Sequence, residues 1–244
     1  MTPEAIILAV CIGGVMGLLG GGGSIVAVPA FTYVLGMAPK QAVVISLVVV
    51  GFAAAVGAAR ALARDVVPAA LAFTVGGSAI IGSLGGSMVG ASISDQLQLR
   101  ILAVVMLAAT VVIWRQPRTA AVRVDHPSPW LLGAIGLSTG VLTGIAGVGG
   151  GFLIVPALVA GAGLTMQQAA ATSMVVIALA AISALAGYFS SAIFEWAFIM
   201  PLAAVAAVAT LAGARLASGV PQRALQRTFA VGLVIVASWV WVRA

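Results

Sequence analysis

Two glycine runs carry the residues in this chain whose types and spacing can do chemistry. Gly20, Gly21, Gly22 and Gly23 are followed by Ser24 and Pro29; Gly147, Gly149, Gly150 and Gly151 are followed by Pro156. A contiguous glycine run resists helix, since each glycine costs about 1 kcal/mol against alanine. Proline suits the first turn of a helix, where its missing N–H needs no partner. The pattern therefore predicts a helix, an extended glycine-rich backbone, and a short helix beginning near the proline. Free backbone N–H groups in such a segment can converge on an oxyanion, and glycine lets it come close. The short helix adds the positive end of its dipole. Bonds from N–H to a charged acceptor contribute about 1.5–3 kcal/mol each, so several hold a small anion without a buried arginine. Ser24, Ser46, Thr143, Thr172 and Ser173 are candidate hydroxyls, and Gln41 and Gln168 candidate amides.

Each of these residues also has a plainer role. Glycines at small-xxx-small spacing let membrane helices approach closely, and Gly13/Gly17, Gly82/Gly86/Gly90 and Gly136/Gly140/Gly144 fit that spacing. The contiguous runs wrap all round a helix and are duplicated with a following proline, which favours broken helices lining a site. Ser46 and Ser173 either contact substrate or bond back to their own helices. Gln41 and Gln168 open apolar stretches and would serve equally as caps.

Enzyme chemistry finds no support here. A serine nucleophile needs a base beside it, and the only histidine, His126, lies in the most polar stretch of the chain. A Walker-type phosphate loop needs Gly-Lys-Ser/Thr after its glycines, and neither run has it. Cys11 is the only cysteine, which rules out an internal disulfide and a cysteine metal cluster. The reading assigns no catalytic residue, metal or cofactor. The carboxylates Glu4, Asp65, Asp95, Asp125 and Glu195 all fall at the ends of apolar stretches, so no midplane proton relay is evident.

The elements that must position the glycine runs come in two copies. The segment from Gly17 to Pro29 reads against that from Gly144 to Pro156 at an offset of 127, the separation of the two prolines. The same offset pairs Gln41-Ala42 with Gln168-Ala169, Ser46 with Ser173, Gly86 with Gly213 and Arg100 with Arg227. The chain divides into a first membrane repeat (1–114), a polar linker (115–128) and a second membrane repeat (129–244). Each repeat holds five apolar stretches: 4–20, 28–38, 41–59, 66–93 and 97–114, then 130–146, 155–165, 168–189, 195–217 and 224–242. The second stretch of each repeat is too short to span, and 66–93 is long enough to leave one pass or two open. The first stretch reads as an uncleaved helix, since no basic leader or small-residue cleavage site marks a signal peptide.

Charge sets the topology. If the first two stretches of each repeat return together to their starting side, Lys40, Arg100 and Arg243 face Arg60, Arg64, Arg115, Arg118, Arg123, Arg215, Arg223 and Arg227 across the membrane, three against eight. One net crossing instead leaves five against six. The positive-inside rule selects the first arrangement. It places the linker in the cytoplasm and both termini outside, and it inverts one repeat against the other. Tryptophans at the stretch ends, such as Trp130 and Trp196, read as interface anchors.

Composition fits this throughout. The chain is 63% hydrophobic and 7% charged, with mean hydropathy +1.25, against about 25% charged residues in a soluble domain. The predicted fold is all-α, a polytopic membrane protein of two inverted repeats with about eight membrane segments and glycine-broken helices. The net charge of +6 sits between apolar runs and shows no basic stripe with interleaved aromatics, so it argues against nucleic acid. The expected partners are the lipid bilayer and a small anion; a homo-oligomer is left open.

The paired Gly-rich-then-Pro segments Gly20–Pro29 and Gly147–Pro156, with Gln-Ala…Ser at 41–46 and 168–173, resemble the sulfite exporter TauE/SafE family, also called the four-toluene sulfonate uptake permeases. The resemblance covers essentially the whole chain. It implies a multi-pass permease of the bacterial inner membrane for sulfite, thiosulfate, sulfonates or related anions. A passive anion channel and a permease for a non-sulfur organic anion are the alternatives. Ser24 stands where the second motif has Gly151, so the two half-sites differ.

Overall fold

The structure, a computed structural model, describes residues 2–64, 67–115, 128–146, 151–188, 195–217, 219, 231–232 and 234–240. The described elements are helical: α1 (Pro3–Leu19), a single 3-10 turn (Gly20–Gly23), α2 (Ser24–Tyr33), α3 (Pro39–Leu62), α4 (Ala69–Ser92), α5 (Asp95–Arg115), α6 (Pro129–Ala146), α7 (Gly151–Gly161), α8 (Met166–Tyr188) and α9 (Trp196–Ala217). Residues 234–240 are helical as well. Five of these helices, α3, α4, α6, α8 and α9, are long and apolar enough to cross a membrane. The 66–93 stretch forms one uninterrupted helix, α4, of 24 residues. At 10 residues, α2 rises only about 15 Å, half a hydrocarbon core. Most of the linker at 115–128 lies outside the described residues.

The exterior is largely apolar, and a set of hydroxyls is buried. Ile81 and Val208 are each 69% exposed, whereas Ser24, Ser46, Ser83, Ser87, Thr143, Thr172, Ser173 and Thr210 are fully buried. Lipid, not water, is the solvent that matches such a surface.

The two halves pack through each other. The first helix of each half lies against the long fourth-stretch helix of the other: α1 on α9, and α6 on α4. Glycine makes both crossings close. A Cβ at Gly136, Gly140 or Gly144 of α6 would strike the backbone of Val75, Ala79 or Ser83; one at Gly82 or Gly86 of α4 would strike Leu137 or Val141. Gly13 and Gly17 of α1 meet Ala206 and Thr210 of α9 in the same way. All three small-xxx-small groups are packing surfaces. Between these pairs, α3 and α8 run antiparallel, with Gly51 against Ala181 and Gly57 against Met174.

The α4–α6 crossing yields a direct test. Gly140→Leu should remove most of the monodisperse protein recovered after detergent extraction, because overpacking a tight core costs about 1–3 kcal/mol even where side chains can shift, and here the obstacle is backbone. Gly133→Leu, on the same helix with open space beside it, should elute as wild type on size exclusion.

Candidate functional site

The first glycine run turns the chain within the protein. α1 ends at Gly20, whose φ of 69° is a conformation that costs other residues dearly. The next residues form a turn of 3-10 helix, not the extended segment expected. Gly23 then lies back against Ile12 and Met16 of α1. Helix resumes at Ser24, so Pro29 sits inside α2 and not in its first turn; Pro156 likewise lies inside α7. The reason is that a single glycine turn suffices to redirect the chain. The Ser24 hydroxyl donates to Gly21 O at 2.6 Å, tying the turn to the helix start a full turn before proline. Pro29 then leaves only the Ile25 carbonyl without its usual donor.

The turn is seated on the other half of the protein, against α7 and α8. Gly20 rests on Ala170, where even a Cβ would come within 2.5 Å of the Ala170 Cα. The Gly21 N–H donates to Ser173 Oγ at 3.0 Å, in a buried bond, and the Ser173 hydroxyl donates to Ala170 O at 2.8 Å. One of the backbone donors expected to be free is thus held by a serine of the opposite half. One residue earlier in α8, the Thr172 hydroxyl is fully buried and has no hydrogen-bond partner among the described residues. A buried hydroxyl in that state costs about 1–3 kcal/mol.

The remaining candidates separate. Ser46 is buried in α3 and donates back to Val43 O at 3.0 Å. Thr143 donates to Thr139 O at 2.7 Å within α6. Gln168 is part of an N-terminal cap: its Oε1 accepts from the Thr165 N–H (3.2 Å) and hydroxyl (3.0 Å), while its own N–H donates to Thr165 Oγ1 at 3.3 Å. This reciprocal pattern explains a glutamine at that place without a ligand. Gln41 is exposed near the start of α3. Gly22 lies in the turn, and Gly151 opens α7. Gly147, Gly149 and Gly150 lie outside the described residues.

The two ends of the bundle differ. Where α1, α3 and α9 finish and α8 begins, a cavity of about 230 Å³ is bordered by Gly17, Leu18, Arg60, Ala61, Arg64 and Gln167, with Ala170 in its wall. At the 127-residue offset, Gly17, Leu18 and Ala61 correspond to Gly144, Ile145 and Tyr188. That second place is closed. Tyr188 is 1% exposed and donates to Gly144 O at 3.0 Å. Gln98 Nε2 donates to the tyrosine oxygen at 3.0 Å and to Ile145 O at 2.6 Å. The last carbonyls of α6, which no helical N–H can reach, are capped by these two side chains. Lys40 adds a bond to Ala91 O at 3.2 Å, where a cation suits the end of α4. Sequence reasoning passed over Tyr188 and Gln98. The available signal was the mismatch of Ala61 with Tyr188 in an otherwise well-matched repeat.

A bundle with a largely apolar exterior and five helices long and apolar enough to cross a membrane is that of a multi-pass membrane protein, and related proteins make the class membrane transporters. Two from Xylella fastidiosa are each described as "Probable membrane transporter protein". One, from strain 9a5c, is 29% identical over 215 residues, covering 82% of this chain and 80% of its own. The other, from strain Temecula1 / ATCC 700964, is 28% identical over 262 residues, covering 99% of this chain and 96% of its own. The chain belongs to the sulfite exporter TauE/SafE family, which it matches over residues 5–240. No solved structure gives a significant match.

Proposed function

We propose that the protein is a permease of the bacterial inner membrane for a small anion, a sulfur oxyanion or organosulfonate such as sulfite, thiosulfate or a sulfonate. The anion binds where the glycine turn of the first half meets α8 of the second. The observation that carries this reading is the Gly21–Ser173 bond, 3.0 Å long and buried between the halves. An incoming oxyanion takes over the Gly21 N–H from a neutral serine oxygen, and a charge-assisted bond is about twice as strong as the one it replaces. The Ser173 and Thr172 hydroxyls then donate to the anion, which gives the Thr172 hydroxyl the partner it lacks among the described residues. The start of α2, immediately after the turn, adds its positive dipole end. The second glycine run, Gly147–Gly151, with Ser46, makes the corresponding half-site.

The two repeats are inverted in this reading. Antiparallel packing of α3 against α8, which correspond at the repeat offset, supports it. So does the gathering of Arg60, Arg64 and Arg215 at one end of the bundle, the end assigned to the cytoplasm together with the linker. Inverted repeats exchange conformations to open each end in turn; in this reading the arginine cavity is the open end and Tyr188 closes the other.

Thr172→Val tests the site without disturbing shape. It should raise the melting temperature, because an unpartnered buried hydroxyl is removed, and raise the KM for anion flux in proteoliposomes about tenfold, the equivalent of about 1.4 kcal/mol. An unchanged KM would place the bound anion away from Thr172.

A further inference from the structure

The cavity at the arginine end is more than a consequence of charge bias. We propose that it is an oxyanion-loading site, in which Arg60 and Arg64 hold the anion before it passes to the glycine turn; this rests on the permease reading above. Arg60 and Arg64 both line the cavity with Gln167, and the rest of its wall is small and apolar: Gly17, Gly57, Ala61 and Ala170 among others. Low-dielectric walls around one sign of charge focus the field and concentrate counter-ions. Arg215 stands close enough to act on Arg60 electrostatically, as does Arg64. No carboxylate lines the cavity among the described residues; Asp65 lies outside them.

The geometry suits an oxyanion rather than halide or water alone. Arg60 spends one donor on Leu211 O at 2.9 Å, which anchors the guanidinium. Among the described residues, four of the five donors of its planar fork are left for a ligand, in the shape that matches two oxygens of one anion. The volume exceeds the roughly 30 Å³ share of one water several-fold, room for a small oxyanion with part of its hydration shell. The route inward is short, because Ala170 belongs to the cavity wall and is also the residue on which Gly20 rests and to whose carbonyl Ser173 donates. Filling is a matter of residue choice. At the repeat offset Ala61 answers to Tyr188 and Arg60 to Gly187, and there the space is taken by the tyrosine ring, with Gly187 against Ser87. Alanine and arginine keep this end open and charged.

The arginine fork would also accept the phosphate of a lipid headgroup, so the test separates the two sources. Ala171, in the cavity wall, is replaced by cysteine in a Cys11→Ser background, and its alkylation by N-ethylmaleimide is timed in liposomes of zwitterionic lipid. Thiosulfate should slow the reaction several-fold beyond chloride at equal ionic strength. Arg60→Gln and Arg64→Gln should each erase that protection, and Arg60→Lys should retain part of it, a control for loss of folding. Thiosulfate no better than chloride, or protection that survives both glutamine variants, overturns the proposal. Protection that appears only when anionic lipid is added also overturns it and assigns the arginines to headgroups. The readout does not depend on flux: protection without thiosulfate transport upholds the arginine site as an anion site while removing the permease reading for that anion. Flux without protection does the reverse.

Discussion

Gly20→Ala is expected to lower anion flux by about tenfold to a hundredfold in a protein that still inserts and extracts normally. Two costs coincide at this position. A φ of 69° costs an L-residue about 1–2 kcal/mol. The added methyl also meets Ala170 at its Cα, its Cβ and its carbonyl oxygen, all within 2.7 Å. None of the three is the end of a flexible side chain, so the turn or α8 must move, and Gly21 N–H and Ser173 Oγ part. A site that depends on placement loses about a factor of ten for each 1.4 kcal/mol of misfit. Gly14→Ala is the control, since a Cβ there meets nothing within 4 Å. Initial rates in proteoliposomes, normalised to monodisperse protein, decide it: a Gly20→Ala rate equal to wild type would move the site away from the glycine turn.

Tyr188→Ala should turn a gated carrier into a leak. The ring plugs the second end of the bundle at 1% exposure, and its hydroxyl ties α8 to the last turn of α6 and to Gln98. Deleting a buried aromatic side chain costs about 3–5 kcal/mol. Here the space left behind is lined by the Gly144 and Ile145 carbonyls and by Gln98, which water would wet. In the proposed reading the arginine cavity is the open end, so a wetted second end joins the two sides. Anion flux should rise and cease to saturate, and counterflow of labelled anion against unlabelled anion should disappear. Tyr188→Phe keeps the plug and loses only the hydroxyl, so counterflow should persist. Undiminished counterflow in Tyr188→Ala would show that this end is not a gate.

Much of the architecture is legible in the residues, and the parts that are not have physical reasons. Composition places the chain in lipid because 7% charged residues cannot cover a water-facing surface. The short second stretch of each half is visible because the glycine run and the next polar turn leave room for only two or three helical turns. Glycine spacing alone does not separate a break from a packing face. Gly76-Gly77 and Gly85-Gly86 stay helical in α4 because each pair sends one glycine against a neighbour, Leu179 for Gly76 and Val141 for Gly86, and leaves the other beside open space. Gly20–Gly23 leave the α-helix for a turn of 3-10 helix. The proline misled because a helix tolerates it inside at the loss of one carbonyl's donor, and both short helices begin before their prolines, at Ser24 and at Gly151. Gln168 read as either a cap or a substrate contact, and the cap shows only once Thr165 is placed as its partner. Arg60 and Arg64 read as topology signals only, since a cavity formed by α1, α3, α8 and α9 together has no local signature. Tyr188 matters only because α8 crosses to meet the ends of α4 and α6, a contact between residues far apart in the chain.

The central claim is that a small sulfur oxyanion crosses the membrane through the glycine turn. Its most direct test is uptake of labelled sulfite and thiosulfate by proteoliposomes holding the wild-type protein, beside liposomes holding Gly20→Ala. The account predicts saturable uptake, competition between the two anions and by a small sulfonate, and loss of most of it in the variant. Uptake that fails to saturate, or that the variant leaves untouched, would contradict the account.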